Sequence, residues 1–160
     1  MNYSLYLKIF LFCTLIVNFK EKIRTIVYLA LEAVKRRQYK AWLNSKTEEE
    51  RNSIQLDPFV IAEQAITNCR PRMKLTVAVR GGITYQVPSP IDEEESIFRA
   101  MKSIREVCRS KTKHGVLHFE DILANELLAA SKNEGFSIQA KQELHKLCEA
   151  NRAFAHYRST

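Results

Sequence analysis

Residues 74–88 read KLTVAVRGGITYQVP, two runs of alternating apolar and polar residues on either side of Gly81-Gly82. Leu75, Val77 and Val79 keep a period of two before the glycines, and Ile83, Tyr85 and Val87 keep it after them. A strand places successive side chains on opposite faces, so this period marks two strands. A tight reversal between them needs positive φ, which glycine adopts without a Cβ clash. The stretch therefore predicts one β-hairpin. Two strands alone are marginal in water, so the hairpin either packs on the rest of the chain or projects and is steadied by a partner. Lys74, Arg80 and the nearby Arg70 and Arg72 point to RNA as that partner.

On both sides of the hairpin the period becomes helical. From Lys20 to Leu43 the residues Ile23, Ile26, Val27, Ala30, Leu31 and Val34 form one apolar stripe, and the opposite side is basic, with Lys20, Lys22, Arg36 and Arg37 among its cations. Residues 45–53 (SKTEEERNS) hold no apolar residue and read as a surface linker. Asp57-Pro58 supplies an N-cap and a preset first residue for a short helix that Pro71 closes. After the hairpin a helix is expected over Glu93 to Arg109, with Ile97, Met101, Ile104 and Cys108 inward and Arg99, Lys102, Arg105 and Arg109 outward. Asp92 to Glu95 lie in its first turn, where they complement the helix dipole. A further helix is expected from about Phe119 to Asn133, closed by Gly135, and a last one from about Gln139 to Tyr157. Leu144, Leu147, Cys148, Asn151, Phe154 and Ala155 form its packing stripe. The fold class is thus mainly α, one domain over residues 1–160 with a single hairpin arm.

The composition narrows the function. Twenty-five Lys and Arg against 18 Asp and Glu leave a net +7, which suits a polyanionic partner. Cys13, Cys69, Cys108 and Cys148 are scattered, whereas zinc ligands come in pairs about two to four residues apart, so reduced, buried thiols are expected and no metal or disulfide. The apolar run from Leu5 to Val17 is shorter than the roughly 20 residues a bilayer requires, and stable membrane insertion is not expected. On the last helix His145, Glu149, Arg152 and His156 share a face, which invites a metal or acid–base site. Their spacing is not that of two His one turn apart with a Glu beside the first, and a polar face toward RNA is the better reading. No cysteine has a local base or oxyanion donor, and Gly81-Gly82 lacks the Gly-Lys-Ser/Thr ending of a phosphate loop. Catalytic residues and cofactors are expected to be none.

Two stretches resemble the small-subunit ribosomal protein seven family. Gly81-Gly82-Ile83-Thr84-Tyr85-Gln86-Val87-Pro88 is similar to the family's Gly-Gly-x-x-Tyr-Gln-Val-Pro, and residues 150–158 (ANRAFAHYR) resemble its C-terminal signature. Residues 124–130 (ANELLAA) look like its penultimate helix, and residues 26–32 and 63–71 also fit, so the resemblance covers about residues 20–158. It implies a bundle of about six helices with a protruding hairpin, bound to the 3′ major domain of small-subunit ribosomal RNA. It also implies a role in assembling the subunit head beside other head proteins, with the arm near the messenger exit path and the exit-site transfer RNA. Carried over by position, Arg80, Tyr85 and Gln86 belong to the arm, and Lys146, Asn151, Arg152, His156, Tyr157 and Arg158 to the C-terminal helix beside RNA. With Lys20, Lys22, Arg36, Arg37, Arg72 and Lys74 they make the expected RNA-binding set. Asn151 and Phe154 lie on the packing stripe, so a structural role is equally open to them.

The departures carry information too. Bacterial relatives have a basic stretch after Val-Pro, where this chain has Pro90-Ile91-Asp92-Glu93-Glu94-Glu95, which puts any RNA contact there in question. Ala100-Met101-Lys102 and Glu106-Val107-Cys108-Arg109 look like mitochondrial members, so the matrix ribosome is the expected location, with a bacterial-type ribosome of another compartment as the alternative. Ser159 stands where the family usually has an aromatic residue. Relatives begin with a basic tail and a lysine-rich turn. Residues 1–19 are therefore read as an incorrect or alternative first exon, with a transit peptide or part of that tail missing from view. The competing functional readings are an extra-ribosomal RNA-binding or helical adaptor protein and a membrane-associated protein anchored by Leu5 to Val17.

Overall fold

The computed structural model describes residues 20–112 and 118–158, with side chains from residue 24 onward. The expectations about residues 1–19, the side chains of Lys20 and Lys22, and Ser159 lie outside the described residues. In chain order the elements are α1 (Lys20–Asn44), α2 (Glu48–Ser53), α3 (Pro58–Cys69), β1 (Met73–Arg80), β2 (Ile83–Pro90), α4 (Glu93–Thr112), α5 (Phe119–Ser131), α6 (Phe136–Ala150) and a terminal 3₁₀ turn (Arg152–Tyr157). The mainly α class with one antiparallel hairpin is as the sequence predicts.

Helix α5 is the hub, packed on α1, α3 and α4. Its Ile122, Leu123, Ala124, Leu127 and Ala130 meet Val27, Ala30, Leu31 and Val34 of α1, Ile61, Ala65 and Ile66 of α3 and Met101 and Ile104 of α4 in one buried core. Asp57 caps α3 as expected, its carboxylate accepting from the Phe59 N–H at 2.9 Å. Cys69, Cys108 and Cys148 are buried free thiols, and burial pushes the Cys69 and Cys108 thiols up to about 12. They are inert at neutral pH.

Several expectations need correction. The linker at 45–53 contains α2, because Thr47 and Glu50 form a reciprocal capping box. Gly135 does not close α5. Asn133 does, at φ +60, with its N–H on the Ala130 carbonyl and the Glu134 N–H on Ala129, the Schellman pattern. Gly135, at φ +94, instead begins α6, three residues earlier than expected. The last helix is not continuous to Tyr157: it breaks at Asn151, whose amide folds back to donate to the Leu147 carbonyl at 2.8 Å. Finally, Arg105 does not point outward, its side chain being 16% exposed, and Leu147, placed on the packing stripe, faces solvent.

The hairpin turns on Gly81 (φ +59) and Gly82 (φ +80), as a two-residue loop between strands requires. Arg80 pairs with Ile83, so Val77 lies opposite Gln86 and Val79 opposite Thr84. The two apolar alternations therefore fall on opposite faces. Tyr85 and Val87 turn toward the helices, while Val77 and Val79 stay 71% and 64% exposed. The base is tied down by the Ile91 N–H to the Arg72 carbonyl and by Ser96 Oγ to the Pro71 carbonyl.

Candidate nucleic-acid interface

The C-terminal segment becomes a surface through its change of helix type. A 3₁₀ helix has three residues per turn, so residues three apart lie in line. Phe154 and Tyr157 consequently share one side, ring centroids 6.4 Å apart and planes 9° from parallel. Tyr85 of the hairpin packs onto both, at 5.1 Å and 5.0 Å. Each such ring pair contributes roughly 0.5–1.5 kcal/mol beyond its buried area. Arg152, Ala155 and Arg158 share the next side and line an open groove of about 350 Å³ with Met73, Pro88, His145, Cys148 and Glu149. His156 lies on the third, exposed, its Nδ1 on the Ala153 carbonyl at 2.8 Å.

His145 ties this groove to the hairpin entry. Its Nε2 accepts the Arg72 N–H at 3.1 Å, which requires the unprotonated nitrogen. Burial, then the cations Lys141 and Arg72, hold its pKa below the usual value. A histidine with a depressed folded pKa contributes its stability above the unfolded value of about 6.5 and loses it as pH falls through the folded value. We expect His145→Ala to cost about 1 kcal/mol at neutral pH, the worth of one hydrogen bond. The difference should vanish as the buffer is taken well below the histidine range. Paired urea melts of the two proteins check this, and a gap that stays constant with pH refutes it.

The expected RNA-binding residues divide into two groups. Two cations are committed within the fold, Arg37 to Asp121 at 2.8 Å, joining α1 to α5, and Lys74 to Glu95 at 2.5 Å, whereas Arg36 meets Glu32 at 2.7 Å on the exposed surface of α1. Glu95 also binds Arg99 at 2.9 Å, and the Lys74 and Arg99 hydrogen bonds hold its carboxyl below the usual range. Arg70 pairs with Glu93 at 2.9 Å. The acidic run after Val-Pro thus neutralises the hairpin's own base as well as the helix dipole. Tyr85 and Tyr157 serve docking, and Asn151 serves the helix end. The side chains of Arg72, Arg80, Gln86, Lys146, Arg152 and Arg158 are exposed, and the five cations among them have no acid partner within the described residues. Arg152 and Arg158 are the pair brought into one groove.

Sequence reading missed two features. One is the buried Glu126, which accepts from the Ser137 N–H and Oγ, both at 2.8 Å, and from Lys111 at 3.1 Å. The other is the contact of Tyr39 with Trp42, for which the aromatics interleaved with cations in residues 35–42 (KRRQYKAW) were an available signal. Among the described residues no cluster of His, Cys, Asp and Glu could hold a metal ion, and no helix is long and apolar enough to cross a membrane.

The family model described as ribosomal protein S7p/S5e matches residues 19–152. The chain belongs to the ribosomal protein S7p/S5e family. Members of that family are structural components, not enzymes. This S7p/S5e chain is 64% identical over 140 residues to small ribosomal subunit protein uS7m of Caenorhabditis elegans, a match covering 88% of the chain and 63% of the relative. Its identity to the uS7m proteins of Xenopus laevis and Drosophila melanogaster is 43% and 42% over 135 residues, covering 84% of the chain and 57% and 60% of those relatives. The S7p/S5e chain spans about three fifths of the length of these relatives.

Proposed function

We propose that the chain is a structural constituent of the mitochondrial small ribosomal subunit, acting by binding without turnover. In this reading it binds the 3′ major domain of the subunit's RNA, helps assemble the head among neighbouring head proteins, and holds its hairpin near the messenger exit path and exit-site transfer RNA. The observation that carries the reading is the groove that Arg152 and Arg158 both line, free of acid partners within the described residues, against the docked base of the hairpin. Arginine at such a position suits phosphate, and folded RNA is recognised mainly through phosphates, 2′-hydroxyls and shape. The membership in S7p/S5e and the names of the uS7m relatives support the same conclusion.

Sedimentation of a mitochondrial lysate through sucrose tests it: the chain is expected to co-migrate with small subunits. Recovery only in slow soluble fractions favours an extra-ribosomal adaptor instead. With a purified 3′-domain RNA fragment, three phosphate contacts would lower affinity on the order of 30-fold between about 50 and 200 mM salt. Salt-independent binding contradicts the electrostatic mechanism.

A further inference from the structure

The C-terminal end of α1 carries a second surface that the groove does not use. Tyr39 and Trp42 stack, ring centroids 5.9 Å apart and planes 14° from parallel. The Arg51 guanidinium, brought back by α2, lies over the Trp42 ring at 5.3 Å. Tyr39 remains 53% exposed and its neighbour Leu43 55%. A water-facing Tyr39 ring held nearly parallel to the half-buried Trp42 ring, with a guanidinium over the latter, forms a preorganised aromatic face whose order is supplied by the fold. Around it the charge is one-sided: Lys35, Arg36, Arg37, Lys40 and Lys46 are unopposed by any acid between residues 35 and 46. Arg36 and Arg37 are paired with Glu32 and Asp121, but Lys35, Lys40 and Lys46 are exposed and make no ion pair with a described residue. The acids next in the chain, Glu48 to Glu50, occupy the first turn of α2, where the helix dipole and, for Glu50, the capping box account for them.

We propose that Tyr39 stacks an unpaired RNA base, with Trp42 and Arg51 as the column behind it and Lys35 and Lys40 beside the flanking phosphates. Stacking on an aromatic ring tolerates any base, because every base has a π-face, and neighbouring cations supply the phosphate attraction. The surface is distinct from the C-terminal groove, since α1 packs chiefly on α3 and α5 while the groove lies between α6, the 3₁₀ turn and the hairpin base. The inference rests on the chain being an RNA-binding protein and adds a second point of contact to it.

Trp42 is the chain's one tryptophan, so its emission reports on this site alone. Titrating the purified full chain with an oligoadenylate of about ten nucleotides should quench that emission saturably at low salt. Tyr39→Ala should weaken the binding about 10-fold and Tyr39→Phe should restore it, since the ring is what stacks. Arg152→Glu with Arg158→Glu should leave this quenching in place while weakening the 3′-domain RNA fragment. Several results overturn the proposal: equal affinity in Tyr39→Ala, an emission that does not change with oligoadenylate, or a response only to small-subunit proteins, which makes the face a protein contact. If the 3′-domain fragment binds without altering Trp42 emission, this site fails and the RNA-binding reading stands. If no RNA binds at low salt, both fail.

Discussion

Changing Arg152→Glu and Arg158→Glu together is expected to weaken binding to the 3′-domain RNA on the order of 100-fold at moderate salt, because two phosphate contacts become two repulsions. The salt dependence should flatten at the same time, as each lost phosphate contact removes close to one unit from the slope of log affinity against log salt. Both side chains are exposed and make no ion pair within the described residues, so the fold has little to lose. Glu149 lines the same groove, and the new carboxylates would add to its repulsion. Lys132→Glu is a control for a charge reversal elsewhere, matched in charge to either single variant: it is also exposed but lies before α6, a whole helix away from the 3₁₀ turn. Filter binding across a salt series reads the result. A double variant that binds like the control removes the C-terminal groove from the interface.

Glu126→Ala should cost about 3 kcal/mol of stability and lower the melting temperature by about 6–12 °C. The carboxylate is only 2% exposed and serves three donors at once. Ser137 is the second residue of α6, so Glu126 caps that helix from α5, a service Gly135 cannot perform for lack of a side chain. The fit is tight, for a Cβ on Gly135 would stand 2.9 Å from Glu126 Oε1 and 3.2 Å from the Ala129 Cβ. Lys111 completes the arrangement, its ammonium lying 4.0 Å from the Phe136 ring centroid. Removing the carboxylate strands a buried N–H and hydroxyl and leaves Lys111 without its counter-charge. Glu126→Gln keeps an acceptor and should lose less. Thermal melts followed by circular dichroism decide it, and a shift below about 2 °C for the alanine variant denies Glu126 this role.

These two cases mark how far local reading reaches. The cap at Asp57, the helix over Lys20–Asn44 and the turn at Gly81-Gly82 were legible because their causes are separated by a few residues. Gly135 was misread because a glycine between two helices can close one or open the next. The choice depends on Glu126, which lies on another helix and accepts from the Ser137 N–H, eleven residues on from it. The α-helical pattern of residues 139–157 was likewise extended through Asn151, since one apolar stripe in sequence cannot distinguish 3.6 residues per turn from 3.0 over so short a segment. That distinction matters. In a continuous α-helix Arg152 and Arg158 would point in different directions, and only the 3₁₀ turn, held by Tyr85 against Phe154 and Tyr157, sets them in one groove.

By itself the sequence determined the helices α1, α3, α4 and α5, the hairpin, the surplus of positive charge and the family, all properties written in neighbouring residues or short motifs. The tertiary structure decided which cations remain available. Arg37 is consumed by Asp121, 84 residues away, and Lys74 by Glu95, 21 residues away, while Arg152 and Arg158 are not matched by any described acid. Ion pairing depends on distance in space, and space is what a linear pattern does not contain.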